Sequence, residues 1–80
     1  MIRVVAFARV RELLGFSERE FALHDVPTVA ALRERLEQFA PDLVALRDST
    51  RVARNGSLVD DAAHLSEGDE VALLPPVGGG

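Results

Sequence analysis

Pro27-Thr28-Val29-Ala30-Ala31-Leu32-Arg33-Glu34-Arg35-Leu36-Glu37-Gln38-Phe39 carries the clearest helical period in the chain. Val29, Leu32, Leu36 and Phe39 recur at spacings of three, four and three and form one apolar stripe, while Arg33, Glu34, Arg35, Glu37 and Gln38 cover the other side. Thr28 stands where a hydroxyl can cap the first free amides. Ala40-Pro41 ends the run, because a residue before proline avoids the α region. A helix with a single apolar stripe must lay it on something, and the flanking sequence supplies a sheet.

Upstream, Ile2 to Ala8 is β-branched and aromatic enough for a strand, with Ile2, Val4 and Ala6 on one face and Arg3, Val5 and Phe7 on the other. Both faces are partly apolar, which suits a central strand, or one whose second face meets a partner, better than a solvated edge. Val10 to Gly15 reads as one helical turn closed by glycine, and Glu18 to Leu23 returns as a second strand. Downstream, Asp42 to Arg47 is predicted as a short helix with Leu43 and Leu46 turned inward. Asn55-Gly56, inside Val52 to Val59, is the signature of a tight type I′ hairpin. Asp60 to Ser66 is turn-like, and Glu70 to Leu74 is the last strand, stopped by Pro75. The order β-β-α-β-β-β predicts an α+β domain of the β-grasp type over residues 1–74: a mixed sheet with one main helix packed on one face. Residues 75–80 are then a flexible C-terminal tail ending in Gly-Gly.

Eighty residues with 48% apolar content form one small domain, which buries only about 60% of the surface its unfolded chain exposes and leaves little structure for a deep catalytic cleft. The net charge of −4, with acids and bases interspersed, makes a nucleic-acid backbone a poor partner and a basic protein surface a better one. No apolar run approaches the roughly 20 residues of a membrane span, and Met1-Ile2-Arg3 opens directly into strand-like sequence, so the expected location is the cytoplasm. With zero cysteines there is no disulfide, no thiolate metal site and no persulfide on this chain. Sulfur could be carried only at a carboxyl group.

Pro75-Pro76-Val77-Gly78-Gly79-Gly80 offers such a group. The diproline projects the chain off the sheet, and the glycines keep it narrow enough to thread a slot that any Cβ would block. Six residues reach roughly 20 Å when extended, so the carboxylate of Gly80 can sit inside a partner's active site. Other chemistry is scarce. His24 and His64 lack metal-ligand spacing, so no metal is expected. Asp60-Asp61 is expected to cap or turn, and Ser17, Ser49, Ser57 and Ser66 all sit in turn contexts. If Ile2, Val4, Val71 and Leu73 meet the helix, then Val5, Phe7 and Leu74 lie on the open face near the tail, with Leu58 beside them as a docking patch.

In Val4-Val5-Ala6-Phe7-Ala8-Arg9-Val10-Arg11-Glu12-Leu13-Leu14-Gly15, Pro27 to Leu32, Val52-Ala53-Arg54-Asn55-Gly56, and Gly68 to Val77, the chain resembles the small sulfur-carrier subunits of molybdopterin synthase. It departs from them at Leu73-Leu74, where aromatics are frequent in the family, and at Gly78, which loosens the tail. The resemblance implies a ubiquitin-like fold and a Gly80 that is adenylated and then converted to a thiocarboxylate. Pro75, Pro76, Val77, Gly78 and Gly79 would carry it into the large synthase subunit, where its sulfur goes to cyclic pyranopterin monophosphate. The implied partners are that large subunit in a heterotetramer, an activating enzyme resembling ubiquitin-activating enzymes, and a sulfur-donor protein. No cofactor is held tightly, and ATP is used by the activating partner. Three alternatives share parts of the pattern: a sulfur carrier for thiamine biosynthesis, a protein modifier joined through Gly80, and a plain interaction module with a disordered tail. Deleting Gly80, or adding one alanine after it, is expected to abolish adenylation and leave the melting temperature nearly unchanged. A large fall in the melting temperature would mean that the tail packs into the fold.

Overall fold

The central strands of the sheet come from opposite ends of the described chain. The computed structural model describes residues 1–75, in which β1 (Ile2–Ala6), β2 (Glu18–Phe21), β3 (Arg51–Arg54), β4 (Ser57–Val59) and β5 (Glu70–Leu74) form one sheet in the order β2-β1-β5-β3-β4. β5 lies parallel to β1, with Val4 opposite Val71 and Ala6 opposite Leu73, and antiparallel to β3. The sheet is therefore mixed. The helix α2 (Val29–Phe39) lies on one face of it, which is the β-grasp arrangement the element order predicts.

Period-two patterning decides which side chains meet the helix. Ile2, Val4, Ala6, Val52, Val71 and Leu73 are buried and join Val29, Leu32 and Leu36 in the core. Phe39 does not complete that stripe. It lies past the edge of the core, 40% exposed, with its ring 6.2 Å from Phe21 and under the guanidinium of Arg19 at 4.9 Å. The cation and the aromatic edge shield it in place of core packing.

Thr28 caps α2 as expected: its hydroxyl accepts from the amide of Ala31 at 3.1 Å, a contact worth about 1 kcal/mol. The preceding amides find main-chain acceptors, Val29 donating to the carbonyl of Ala63 and Ala30 to that of Asp61, each at 3.0 Å. Arg33 and Glu37 are not on a solvated side. A 3₁₀ segment, Pro41–Ser49, replaces the short helix predicted over Asp42 to Arg47 and packs along α2. Arg33, with only 14% of its side chain exposed, donates to Asp61 Oδ1 (2.8 Å) and to the carbonyls of Arg47 (3.1 Å) and Thr50 (2.8 Å). Glu37 accepts from Nε of Arg47 at 2.9 Å and also from its Nη2.

The first strand is shorter than predicted. The chain leaves it at Phe7, and Ala8, at φ 51°, starts the helix α1 (Ala8–Leu14), which Gly15 closes at φ 80° with its amide on the carbonyl of Arg11. The second strand stops at Phe21, and Leu23–Asp25 forms a 3₁₀ turn.

Asn55 and Gly56 take φ 51° and 86°, as a type I′ turn requires. Asn55 also clamps the start of β5, since Oδ1 accepts from the amide of Glu70 at 2.9 Å and Nδ2 donates to Asp69 Oδ1 at 2.9 Å. Asp69 Oδ2 accepts from the amide of Ser66 at 2.8 Å. The Ser66 amide, then the Asn55 amide group, hold the Asp69 carboxyl below its ordinary range. The stability it lends is present above the range of an unfolded aspartate and is lost as pH falls through the folded value. Asp69→Asn is therefore expected to reduce the slope of stability against pH on the acid side. Denaturant titrations of both proteins from neutral to acid pH check this, and parallel curves would refute it.

Candidate functional site

On the face turned away from α2, one row of side chains crosses all five strands: Glu18, Val5, Ala72, Ala53 and Leu58 stand opposite one another in turn. Alanine at the two positions nearest the centre keeps the middle of the row shallow. Leu58 stands up at one end, 58% exposed. One step toward the end of β5, Leu74 faces Arg51, and Phe7, 42% exposed, follows β1 at the turn made by Ala8. The left-handed conformation of Ala8 costs about 1 to 2 kcal/mol and swings the chain into α1, leaving the Phe7 ring at the corner. One step the other way, Arg3 lies between Glu20 and Glu70 in the register and pairs with Glu18 (3.1 Å) and Glu70. The result is an apolar band with an acidic, arginine-bridged border on one side and Arg51 on the other.

Pro75 leaves the sheet beside this band. It lines a crevice of about 220 Å³ together with Ala8, Arg9, Val10, Leu46 and Thr50. The remaining tail residues singled out in the sequence, Pro76, Val77, Gly78, Gly79 and Gly80, lie outside the described residues. Phe7, Leu58 and Leu74 share the face on which the period of two put them, with Leu74 half-buried and Leu58 separated from β5 by Ala53.

Asp60, Asp61, His24 and His64 all make contacts within the fold. Asp60 Oδ1 accepts from the amide of Ala62 at 3.0 Å, and Asp61 holds Arg33. His24 contacts Asp25 at 3.3 Å, and His64 forms an isolated bridge with Thr28. Among the described residues no group of His, Cys, Asp and Glu is arranged to hold a metal ion. The site offers shape, apolar surface and border charge.

Arg51, Arg9, Ala53 and Ala72 were not singled out in the sequence. Arg51 acquires its place only through its register with Leu74. For the three strand residues the sole signal was strand periodicity, which does not reveal which strands are neighbours.

The sequence matches the ThiS family over residues 4–80. The chain belongs to the ThiS family. It is 46% identical to the molybdopterin synthase sulfur carrier subunit of Escherichia coli, an alignment that covers 100% of both chains. Among solved structures, small archaeal modifier protein 1 of Haloferax volcanii superimposes with a TM-score of 0.79 at 27% identity, covering 95% of this chain and 97% of that one. A chain from the protein–protein complex of subunits 1 and 2 of the molybdopterin-converting factor of Helicobacter pylori superimposes with a TM-score of 0.69 at 25% identity, covering 99% and 97%. The ubiquitin-like β-grasp fold read from this ThiS-family chain is thus that of its relatives.

Because the open face contributes little to the core, Phe7→Arg and Leu74→Glu are expected to leave this ThiS-family domain folded. Leu32→Ala, at a fully buried position, should cost about 2 to 5 kcal/mol. Denaturant melts compare the three, and unfolding by either surface substitution would overturn the division between the faces.

Proposed function

We propose that this chain is the sulfur-carrier subunit of a molybdopterin synthase. The observation that carries the reading is the full-length match, at 46% identity, to the E. coli protein of that name. The open apolar band beside Pro75 supports it, since a carrier must bind the proteins that load and unload it.

The chemistry follows from the carboxylate. Oxide is too poor a leaving group for a carboxylate to be attacked directly, so an activating partner joins Gly80 to the α-phosphate of ATP and releases pyrophosphate. A persulfide sulfur from a donor protein then attacks the acyl carbon, and AMP departs with the electron pair of the broken C–O bond. Reductive cleavage of the S–S bond by a thiol leaves a thiocarboxylate at Gly80. The large synthase subunit admits the tail and supplies the acid–base groups that move this sulfur to cyclic pyranopterin monophosphate. Two sulfurs per dithiolene require two loaded carriers, which a heterotetramer can present. ATP is used only by the activating partner, and the cycle runs in the cytoplasm. Phe7, Leu58 and Leu74 dock the carrier, and Pro75 to Gly79 thread it.

Incubated with activating enzyme, ATP and a sulfur donor, the chain is expected to gain the mass difference of one oxygen exchanged for sulfur. It should lose that mass on mixing with large subunit and cyclic pyranopterin monophosphate. Sulfur loss only to a thiazole-forming partner would move the protein to thiamine biosynthesis, and isopeptide adducts would make it a modifier. No mass change, with a control carrier processed normally, would end the sulfur-carrier reading.

A further inference from the structure

All nine cationic side chains of this protein are arginines: the sequence has no lysine, and it also lacks cysteine and tyrosine. Some of these arginines use the planar fork that only a guanidinium has, as Arg33 does with three acceptors and Arg47 with Glu37. That explanation does not reach the two that flank the tail. Arg51 is exposed opposite Leu74 and makes no side-chain hydrogen bond or ion pair among the described residues. Arg9 shares the crevice with Pro75 and has only a 3.3 Å contact with Glu12, with both side chains mostly exposed.

Arginine and lysine differ sharply toward an activated carboxyl. A guanidinium stays protonated, with a pKa above about 12, and presents no lone pair to an acyl carbon. A lysine amine, in its neutral fraction, attacks: the new C–N bond forms, the bond to the leaving group breaks, AMP or a thiolate departs with the electron pair, and the nitrogen gives its proton to water. A lysine beside the tail exit would compete at an effective concentration on the order of millimolar, because the short tail tethers acceptor and donor. The amine that remains, on Met1, is paired with Glu67. It sits at the far end of the parallel β1–β5 ladder, next to the start of β5 rather than its end. Attack by the exposed His24 would give an acyl-imidazole that water returns to the acid.

We propose that Arg9 and Arg51 place positive charge beside the tail without placing a nucleophile there, so that an activated Gly80 finds no acceptor on its own chain. The acyl group then passes only to a nucleophile that a partner brings. Where that nucleophile is a protein amine, one unit is added and no further unit can be linked through a side-chain amine of the first. This rests on the reading that Gly80 is activated, but its test needs no activating enzyme.

The full chain is released from a fusion by thiolysis, so that Gly80 carries a thioester, and is held at mildly alkaline pH while intact mass is followed. The wild-type protein is expected to give only the free acid, and to form an amide when a lysine-containing peptide is added. Arg51→Lys and Arg9→Lys should convert a major fraction to a monomer lighter than the acid by one water, with peptide mapping placing the lactam at the new lysine. Arg35→Lys, on α2, should behave like wild type. Cyclic or covalently dimeric product from the wild-type chain would overturn the proposal. So would clean hydrolysis of both tail-flanking variants, or equal cyclisation of the Arg35→Lys control. Failure of enzymatic loading would count against the sulfur-carrier reading and leave these outcomes unaffected.

Discussion

The guanidinium of Arg33 joins three parts of the molecule through one side chain. It reaches from the middle of α2 to Asp61 in the turn before β5 and to the carbonyls of Arg47 and Thr50 just ahead of β3. Each acceptor sits where the chain changes direction, so the side chain fixes where β3 begins relative to the helix. β3 follows directly and pairs with β5, which sets Arg51 opposite Leu74. Losing the fork would leave carbonyl oxygens partly shielded from water and short of a donor, a condition that costs more than the bond itself contributes.

The two faces of the sheet answer to different requirements. The covered face is filled with Ile2, Val4, Val52, Val71 and Leu73 against Leu32 and Leu36, where size and shape matter. The open face has small residues at its centre and taller apolar ones at its margins. Its border pairs Arg3 with Glu18 and Glu70, which keeps that side acidic while limiting repulsion between the carboxylates.

Features set by local chemistry were legible in the sequence. The Thr28 cap, the spacing of Val29, Leu32 and Leu36, the Asn55-Gly56 turn and the Gly15 stop all act over a few residues, and each stands where the pattern put it. The open-face positions of Phe7, Leu58 and Leu74 were legible for the same reason, because alternation along a strand is local. What depends on distant partners was not. Phe39 fits the helical period and still lies outside the core, because the sheet edge ends before it. Arg33 and Glu37 look like solvated charges until the Pro41–Ser49 segment is laid beside them. Asn55 reads as a turn residue, and its grip on Asp69 and Glu70 appears only once β3 and β5 are neighbours.

The placement of β5 in the middle of the sheet has a consequence for how the protein is made. Residues 70–74 are synthesised after the other four strands, yet β1 and β3 both hydrogen-bond to them. Without them the ladder reduces to two separate pairs, β1–β2 and β3–β4, and α2 has no continuous sheet to cover. The sheet is continuous only once β5 lies between β1 and β3. A chain cut short before residue 70 therefore lacks the strand that joins the two halves of the sheet.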